Sequence, residues 1–342
     1  MGRWTIYTAF AVGLAISAAT AKADPVEDFY KGRNVSVLIG YSAGGGYDSY
    51  ARVLARHMGK HIPGNPTLVP QNMPGAGSLN AANYLYNIAP KDGSVFGTFA
   101  RGLPMEPLIG HSATRYEATK FTWLGSITNE VSVCATMGSR VKTWDDVLSK
   151  EFTVAGEGSG SDPDIFAKVL KSVFGAKLKL ITGYPGASEM SLAMERGEID
   201  GRCGWSWSTI KAQKQDWLRS KKLNIIVQLS LDKSPDLPDV PLIIDLAKND
   251  RQKQILKLIF SRQVMGRPFA APPGIPEDRA RALRRAFEET MKDPEFRAEA
   301  EKQGLEVNPV NGEALQSLVR ELYDAPKDVV AEVRTAIGAG AR

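Results

Sequence analysis

The sequence holds three histidines and two cysteines. So few histidines argue against a hydrolase, and two cysteines can close at most one disulfide. Beyond the first twenty-odd positions, no stretch is long and charge-free enough for a bilayer span of about 20 apolar residues. No G-x-S-x-G elbow is present, and no base stands near a candidate nucleophile, so catalysis is not expected. Gly40 to Gly45 has the spacing of a P-loop opening, but Gly46 and Tyr47 stand where Lys and Ser/Thr are needed. From Gly44 onward G-x-G-x-x-G fails at Ser49, which excludes the common phosphate motifs. No basic stripe interleaved with aromatics appears, so nucleic acid is not an expected partner.

What is present begins with Arg3, an apolar run from Ile6 to Ala19, and Ala21-Lys22-Ala23. That order reads as a secretory signal peptide over residues 1–23, with an exported chain starting near Asp24. The remainder exceeds one ordinary core, so two domains are expected. Without Arg3 and Lys22 the basic excess falls from five to three. In an oxidising compartment Cys134 and Cys203 are either bridged or two buried thiols; their spacing leaves both open.

Four times an apolar stretch runs through a glycine turn into a helical pattern. Val35–Ile39 leads into Ser42-Ala43-Gly44-Gly45-Gly46, and Thr67–Pro70 into Met73-Pro74-Gly75-Ala76-Gly77. Phe152–Ala155 leads into Gly156-Glu157-Gly158-Ser159-Gly160-Ser161, and Leu178–Ile181 into Gly183-Tyr184-Pro185-Gly186. Strands alternating with helices predict an α/β architecture of largely parallel sheets. The expected division is lobe I over 24–124 and 227–342, with lobe II over 125–226 and a helical tail packed outside from Pro276.

Ligands of open α/β sheets sit beyond the carboxyl strand ends, where these four loops belong. A helix N-terminus offers unpaired N–H groups and about half a positive charge, and so attracts anions. Two loops from each lobe facing one cleft would clamp an anion through main-chain donors. Arg101, emerging after Val95–Phe99, is either a reader of a second carboxylate or a surface residue. Tyr47 and Tyr184 are candidate phenol donors, and Asp48 is either a helix-end charge or a reader of a ligand amine or hydroxyl. Trp205 and Trp207 alternate on a strand and read as core. His57 and His61, with no acidic partner nearby in sequence, read as a solvated helix end, and His111 as a loop residue; no metal or cofactor is expected.

Gly44-Gly45-Gly46-Tyr47-Asp48, Asn72-Met73-Pro74-Gly75-Ala76-Gly77 and Pro90-Lys91-Asp92-Gly93 occur here in a telling order. Gly158-Ser159-Gly160-Ser161, Tyr184-Pro185-Gly186, Arg196-Gly197-Glu198-Ile199-Asp200, Pro238-Asp239-Val240-Pro241 and Ala271-Pro272-Pro273-Gly274-Ile275-Pro276 continue it. Together they resemble the extracytoplasmic solute receptors of tripartite tricarboxylate transporters, the TctC or Bug-type family. The resemblance implies a two-lobed flytrap fold and a periplasmic, monomeric receptor. It implies a small carboxylate ligand and a membrane permease of one large and one small subunit. It assigns one ligand carboxylate to Ser42–Asp48 and Gly75–Ser78, and the rest of the ligand to Gly158–Asp162 and Tyr184–Gly186. Asp200 matches an acidic residue of the strand leading to the hinge. Two departures bear on selectivity: Ala43 replaces a usual proline, and Asp162-Pro163-Asp164 replaces a frequent histidine. A periplasmic sensor for the same ligand, or less readily an enzyme of carboxylate metabolism, are the other functions in view.

Overall fold

The computed structural model describes residues 1–2, 24–109, 113–158 and 160–339. Nearly all of the expected signal peptide, His111 and Ser159 therefore lie outside the described residues. In chain order the strands are β1 Asn34–Ile39, β2 Thr67–Asn72, β3 Val95–Thr98, β4 Thr122–Ser126, β5 Ser132–Met137 and β6 Phe152–Ala155. They continue with β7 Leu178–Ile181, β8 Gly201–Ser206, β9 Leu223–Leu229, β10 Pro268–Ala271 and β11 Val310–Asn311. One sheet has the order β11-β4-β10-β3-β1-β2 and the other β7-β6-β8-β5-β9.

Both sheets are covered on both faces, and the strand alternation shows it directly. Val35, Val37 and Ile39 enter one core while Leu38 enters another. In the second sheet Cys134, Phe152 and Val154 face one core, and Val133, Ala135 and Ala155 the other. The helix Gly46–Met58 buries Tyr50, Val53, Leu54 and Met58 at helical spacing. The helix Asp162–Phe174 carries Pro163 in its first turn and ends on Gly175, whose φ of 77° closes the C-terminus.

Parallel pairing is confined to one half of each sheet. β1 is parallel to β2 and β3, and β6 to β7 and β8. The pairs β10–β3, β10–β4, β11–β4, β5–β8 and β5–β9 are antiparallel. A parallel pair needs a crossover, which the helices after β1, β2, β6 and β7 supply. β5 and β10, which receive the chain from the other sheet, run against these strands, while β4 and β9, which hand it over, run with them.

The allocation of chain to the two halves differs from that read in the sequence. β9 is an edge strand of the second sheet, and the helix Asp250–Phe260 packs Leu256, Ile259 and Phe260 into the second core. The chain rejoins the first sheet at β10 rather than near residue 227. Gly312–Tyr323 packs Leu315 and Val319 beside the first sheet, whereas the final helix Lys327–Ala336 puts Val333 back into the second core. Apolar periodicity specifies an element's buried face, not which sheet it covers. The β5–β8 register sets Cys134 opposite Cys203, and the two form a disulfide. Among the described residues no helix is long and apolar enough to cross a membrane.

Candidate functional site

The loops after β1, β2, β6 and β7 meet across the gap between the sheets. Ser42 N donates to Pro185 O at 3.4 Å, and Gly77 N donates to Glu157 O at 2.9 Å. Ser42 Oγ donates to Glu189 Oε2 at 2.9 Å, and Ser188 Oγ donates to Ala43 O at 3.3 Å. A Cβ on Gly186 would stand 2.5 Å from Ser42 Oγ, and one on Gly158 would stand 3.0 Å from the Ala76 carbonyl carbon. Gly44 lies against Ser188 and Gly45 against Ala187. The cavity between them is about 30 Å³, room for roughly two waters.

Of the residues singled out in the sequence as ligand-binding, Gly45, Gly46, Tyr47, Arg101 and Asp162 line this cavity. Ser42, Ala43, Gly44, Ala76, Gly77, Gly158, Pro185 and Gly186 form the seam around it. Gly75, Ala76, Gly77 and Ser78 all have positive φ, at 128°, 50°, 62° and 64°. Two of these carry a Cβ, at a cost of roughly 1–2 kcal/mol each. Ser78 is fixed behind the turn: its Oγ donates to Gly77 O and accepts from Ala100 N, both at 2.7 Å. Gly160 presents its carbonyl to Arg262 at 3.5 Å, and Ser161 Oγ donates to Gly158 O at 2.7 Å. Tyr184 packs against the core that holds Val133 and Ala135, on the other face of the second sheet, and does not line the cavity.

Asp200 is not brought to this place. Its carboxylate accepts from Thr153 N and Oγ1 at 2.7 and 2.9 Å, at the far end of β8. It stands two residues before Arg202 and does not itself line the cavity. Asp48 is spent on the loop itself, accepting from Gly44 N at 3.0 Å and from Arg52 and Asn72 at 2.9 Å. Burial opposes its ionisation, yet those hydrogen bonds prevail and hold its carboxyl below the usual range.

Several of the main-chain donors expected to grip an anion are occupied. The amides of Ser42 and Gly77 bond across the seam, Gly44 bonds Asp48, and Gly158 bonds Asp164 at 2.8 Å. Closed loops satisfy one another because buried amides cannot be left unpaired without a free-energy cost. Side-chain donors face the cavity as well. Arg101 Nη1, Arg202 Nε and Nη1, Arg267 Nε and Trp205 Nε1 are buried without a hydrogen-bond partner, and all four residues line the cavity.

These arginines sit in ion pairs that leave part of each guanidinium unused. Arg101 Nε lies 2.8 Å from Asp162 Oδ2, and its Nη2 donates to Ser206 Oγ at 2.6 Å. Arg202 Nη2 lies 3.0 Å from Glu157 Oε1, and Arg267 Nη2 lies 3.1 Å from Glu130 Oε2. Burial works against the Arg101 charge, but Asp162, Tyr47 and Glu130 outweigh it and raise its pKa. Burial raises the Glu157 carboxyl to about 7, with Arg202 opposing and Asp164 and Asp162 adding to the rise. Tyr47 is pushed up by burial, and its hydroxyl accepts from Arg101 N at 3.0 Å. The Arg267 guanidinium covers the Tyr47 ring at 4.7 Å.

Sequence reading missed Glu157, Arg202 and Arg267 as site residues. Arg202, Gly204 and Ser206 recur at period two along β8, which marks one face of a strand but not the face turned to the cleft. Trp205 and Trp207 both pack into one core, as read; Trp205 also meets the cavity, and Trp207, at the start of a helix, donates to Asp236 at 3.0 Å. The histidines do have acidic partners, supplied from distant sequence: His57 lies 2.6 Å from Glu299 and His61 lies 3.0 Å from Asp293. His57, Asp293 and Glu295 could together face a cation. The Lys60 ammonium already pairs with both carboxylates.

Residues 50–334 match the model of the tripartite tricarboxylate transporter family receptor. A UPF0065 protein of Agrobacterium vitis, from the TAR-I ttuE-ttuC' intergenic region, is 24% identical over 273 residues, covering 78% of this chain and 74% of its own. Among solved structures, the periplasmic binding protein BugD superposes with a TM-score of 0.72 at 22% identity, over 90% of this chain and 98% of that one. MatC of Rhodopseudomonas palustris with bound malate gives 0.69 at 21%, over 87% and 99%. An R. palustris protein with adipate gives 0.69 at 17%, over 90% and 98%. At such identities the likeness is one of fold. The family match runs through both sheets, from the helix after β1 into the final helix, and so this chain belongs to the tripartite tricarboxylate transporter family of receptors.

Proposed function

We propose that this chain is an exported periplasmic receptor whose two halves close over a small dicarboxylate and deliver it to a tripartite membrane transporter of large and small subunits. The observation that carries this reading is the set of unpartnered guanidinium nitrogens of Arg101, Arg202 and Arg267 around one buried cavity between the sheets. Buried donors of fixed positive charge favour a ligand with more than one anionic group. The malate and adipate carried by similar chains are of that class. The groups around the cavity form ion pairs and hydroxyl contacts, an arrangement suited to recognition rather than turnover.

Seam and cavity together suggest the working cycle. The halves part about the junction between β4 and β5 and that before β10, the ligand enters, and closure remakes the seam less tightly than in the empty form. Thermal unfolding with malate, adipate and their monocarboxylate counterparts lactate and hexanoate tests the reading. A dicarboxylate at a hundred times its Kd adds about 2.7 kcal/mol, a rise in Tm of several degrees. A melting point unmoved by every member of such a panel overturns the proposal. Copurification of the large and small membrane subunits with the loaded receptor supports transport, whereas recovery of a signalling receptor assigns the protein to sensing.

A further inference from the structure

We infer that Glu157 is a built-in substitute for one ligand carboxylate: it occupies Arg202 in the closed empty form, yields Arg202 to an incoming dicarboxylate, and takes up one proton from solvent as it does so. The inference rests on the inter-sheet cavity being the ligand site. Arg202 is buried, covers the Trp205 ring at 5.7 Å, and spends only Nη2 on Glu157, at 3.0 Å. Its Nε and Nη1 have no partner. A guanidinium built for two parallel bonds to a carboxylate is thus engaged through one, and a better-aligned carboxylate can displace the resident one. Glu157 is also a closure contact, since its carbonyl accepts from Gly77 N at 2.9 Å across the seam. Whether the cleft is closed and what occupies Arg202 are therefore read by the same residue.

The proton follows from the charges around that carboxyl. Facing Glu157 are Arg202 from β8, Asp162 and Asp164 from the helix after β6, and the Tyr41 hydroxyl from the loop after β1. Asp164 is held by Ser161, Thr182 and Gly158 N, and Asp162 lies against Arg101 and Arg262. Both therefore stay in place as negative neighbours. Once a ligand carboxylate takes Arg202, Glu157 has lost its cation and gained another anion, both of which favour the neutral acid. Burial already brings it to about 7 without ligand, so binding needs to shift it only a little further. Below that pH the empty site is already protonated and binding takes up nothing. Above it, each molecule bound draws in a proton, and affinity falls as pH rises.

Calorimetric titration of the mature protein with malate, adipate and hexanoate, from about pH 6 to about pH 9 in buffers of different ionisation enthalpy, tests this. Dicarboxylate affinity is expected to be flat at the acid end and to fall up to tenfold per unit above about pH 7, with nearly one proton taken up. In Glu157→Gln, which mimics the neutral acid, the slope and the proton uptake disappear and affinity at high pH rises to the wild-type acid value. In Arg202→Gln, adipate binding drops on the order of a hundredfold while hexanoate changes about threefold or less. Arg202→Lys, which keeps the charge without the fork, shows the same split if the glutamine variant fails to fold. An unchanged slope in Glu157→Gln, or equal losses for adipate and hexanoate at Arg202, overturns the inference while leaving the cleft as the binding site. Failure of the wild type to bind any of the three acids at any pH removes both.

Discussion

Asp48 shows how a residue in a recognition loop can act entirely within the loop. Its carboxylate ties Gly44, Arg52 and Asn72 together, joining the turn after β1 to the end of β2. Because its folded pKa is depressed, its contribution is complete above the unfolded value near 4 and is lost as pH falls through that region. Asp48→Asn is expected to melt at a lower temperature than wild type at neutral pH, and to lose less between about pH 5 and pH 3; parallel acid-dependent melts would show the two curves converging. Arg101 stands under a different constraint, paired with Asp162 at 2.8 Å and with little access to water. Its removal leaves the buried Asp162 carboxylate with only the more distant Arg262, at 3.7 Å, so Arg101→Ala should cost about 3 kcal/mol in urea unfolding. It should also weaken a dicarboxylate far more than a monocarboxylate. Residues in glycine turns and just beyond a strand, such as Gly45 and Arg101, could be read from sequence because the turn itself marks the carboxyl edge. Arg202 and Arg267 could not, because a cation in or beside an apolar strand gives no sign of which way it faces until the sheet is assembled.

At the scale of elements, the four strand-turn-helix units around β1, β2, β6 and β7 were legible, since apolar runs, glycines and helical spacing all agree there. The antiparallel halves were not: an apolar pentapeptide carries no arrow, and only the chain's passage between sheets gives β5 and β10 theirs. Gly102, in the turn after β3, is a place where element geometry and closure meet. Its backbone is right-handed, with φ −79° and ψ −19°, so alanine suits it locally. Across the seam, however, a Cβ would lie 2.5 Å from Gly160 O. Gly102→Ala is expected to keep its far-ultraviolet spectrum, show a larger radius of gyration by small-angle scattering, and bind dicarboxylate at least tenfold more weakly. The Cys134–Cys203 bridge closes a 69-residue separation between neighbouring strands. Chain-entropy reasoning assigns such a loop about 4 kcal/mol. Reduction by dithiothreitol should therefore lower Tm by several degrees, and calorimetry showing no shift would contradict that role.

For the molecule as a whole, the sequence indicated two halves and a returning chain but misplaced the return, because the helix Asp250–Phe260 has the same amphipathic pattern whichever sheet it covers. The tail illustrates the same degeneracy: Leu315 and Val319 serve one core and Val333 the other, with only a short turn between their helices. Ending the chain after Tyr323 should uncover Leu256 and Ile259, destabilise the second half by about 2–4 kcal/mol and split the melting transition in two. A single unshifted transition would mean the final helix is dispensable.

That tail also limits how the receptor can move. A body joined to another by neighbouring links swings about them like a door, and its arc is set by whatever else is fastened across the opening. Residues 324–326 are such a fastening, and three residues pulled straight reach only on the order of 10–15 Å. However strongly solvent favours parting the halves, the gape at that point cannot exceed this leash unless the final helix first lets go, so lengthening the leash with inserted glycines should widen the mouth without altering what it grips.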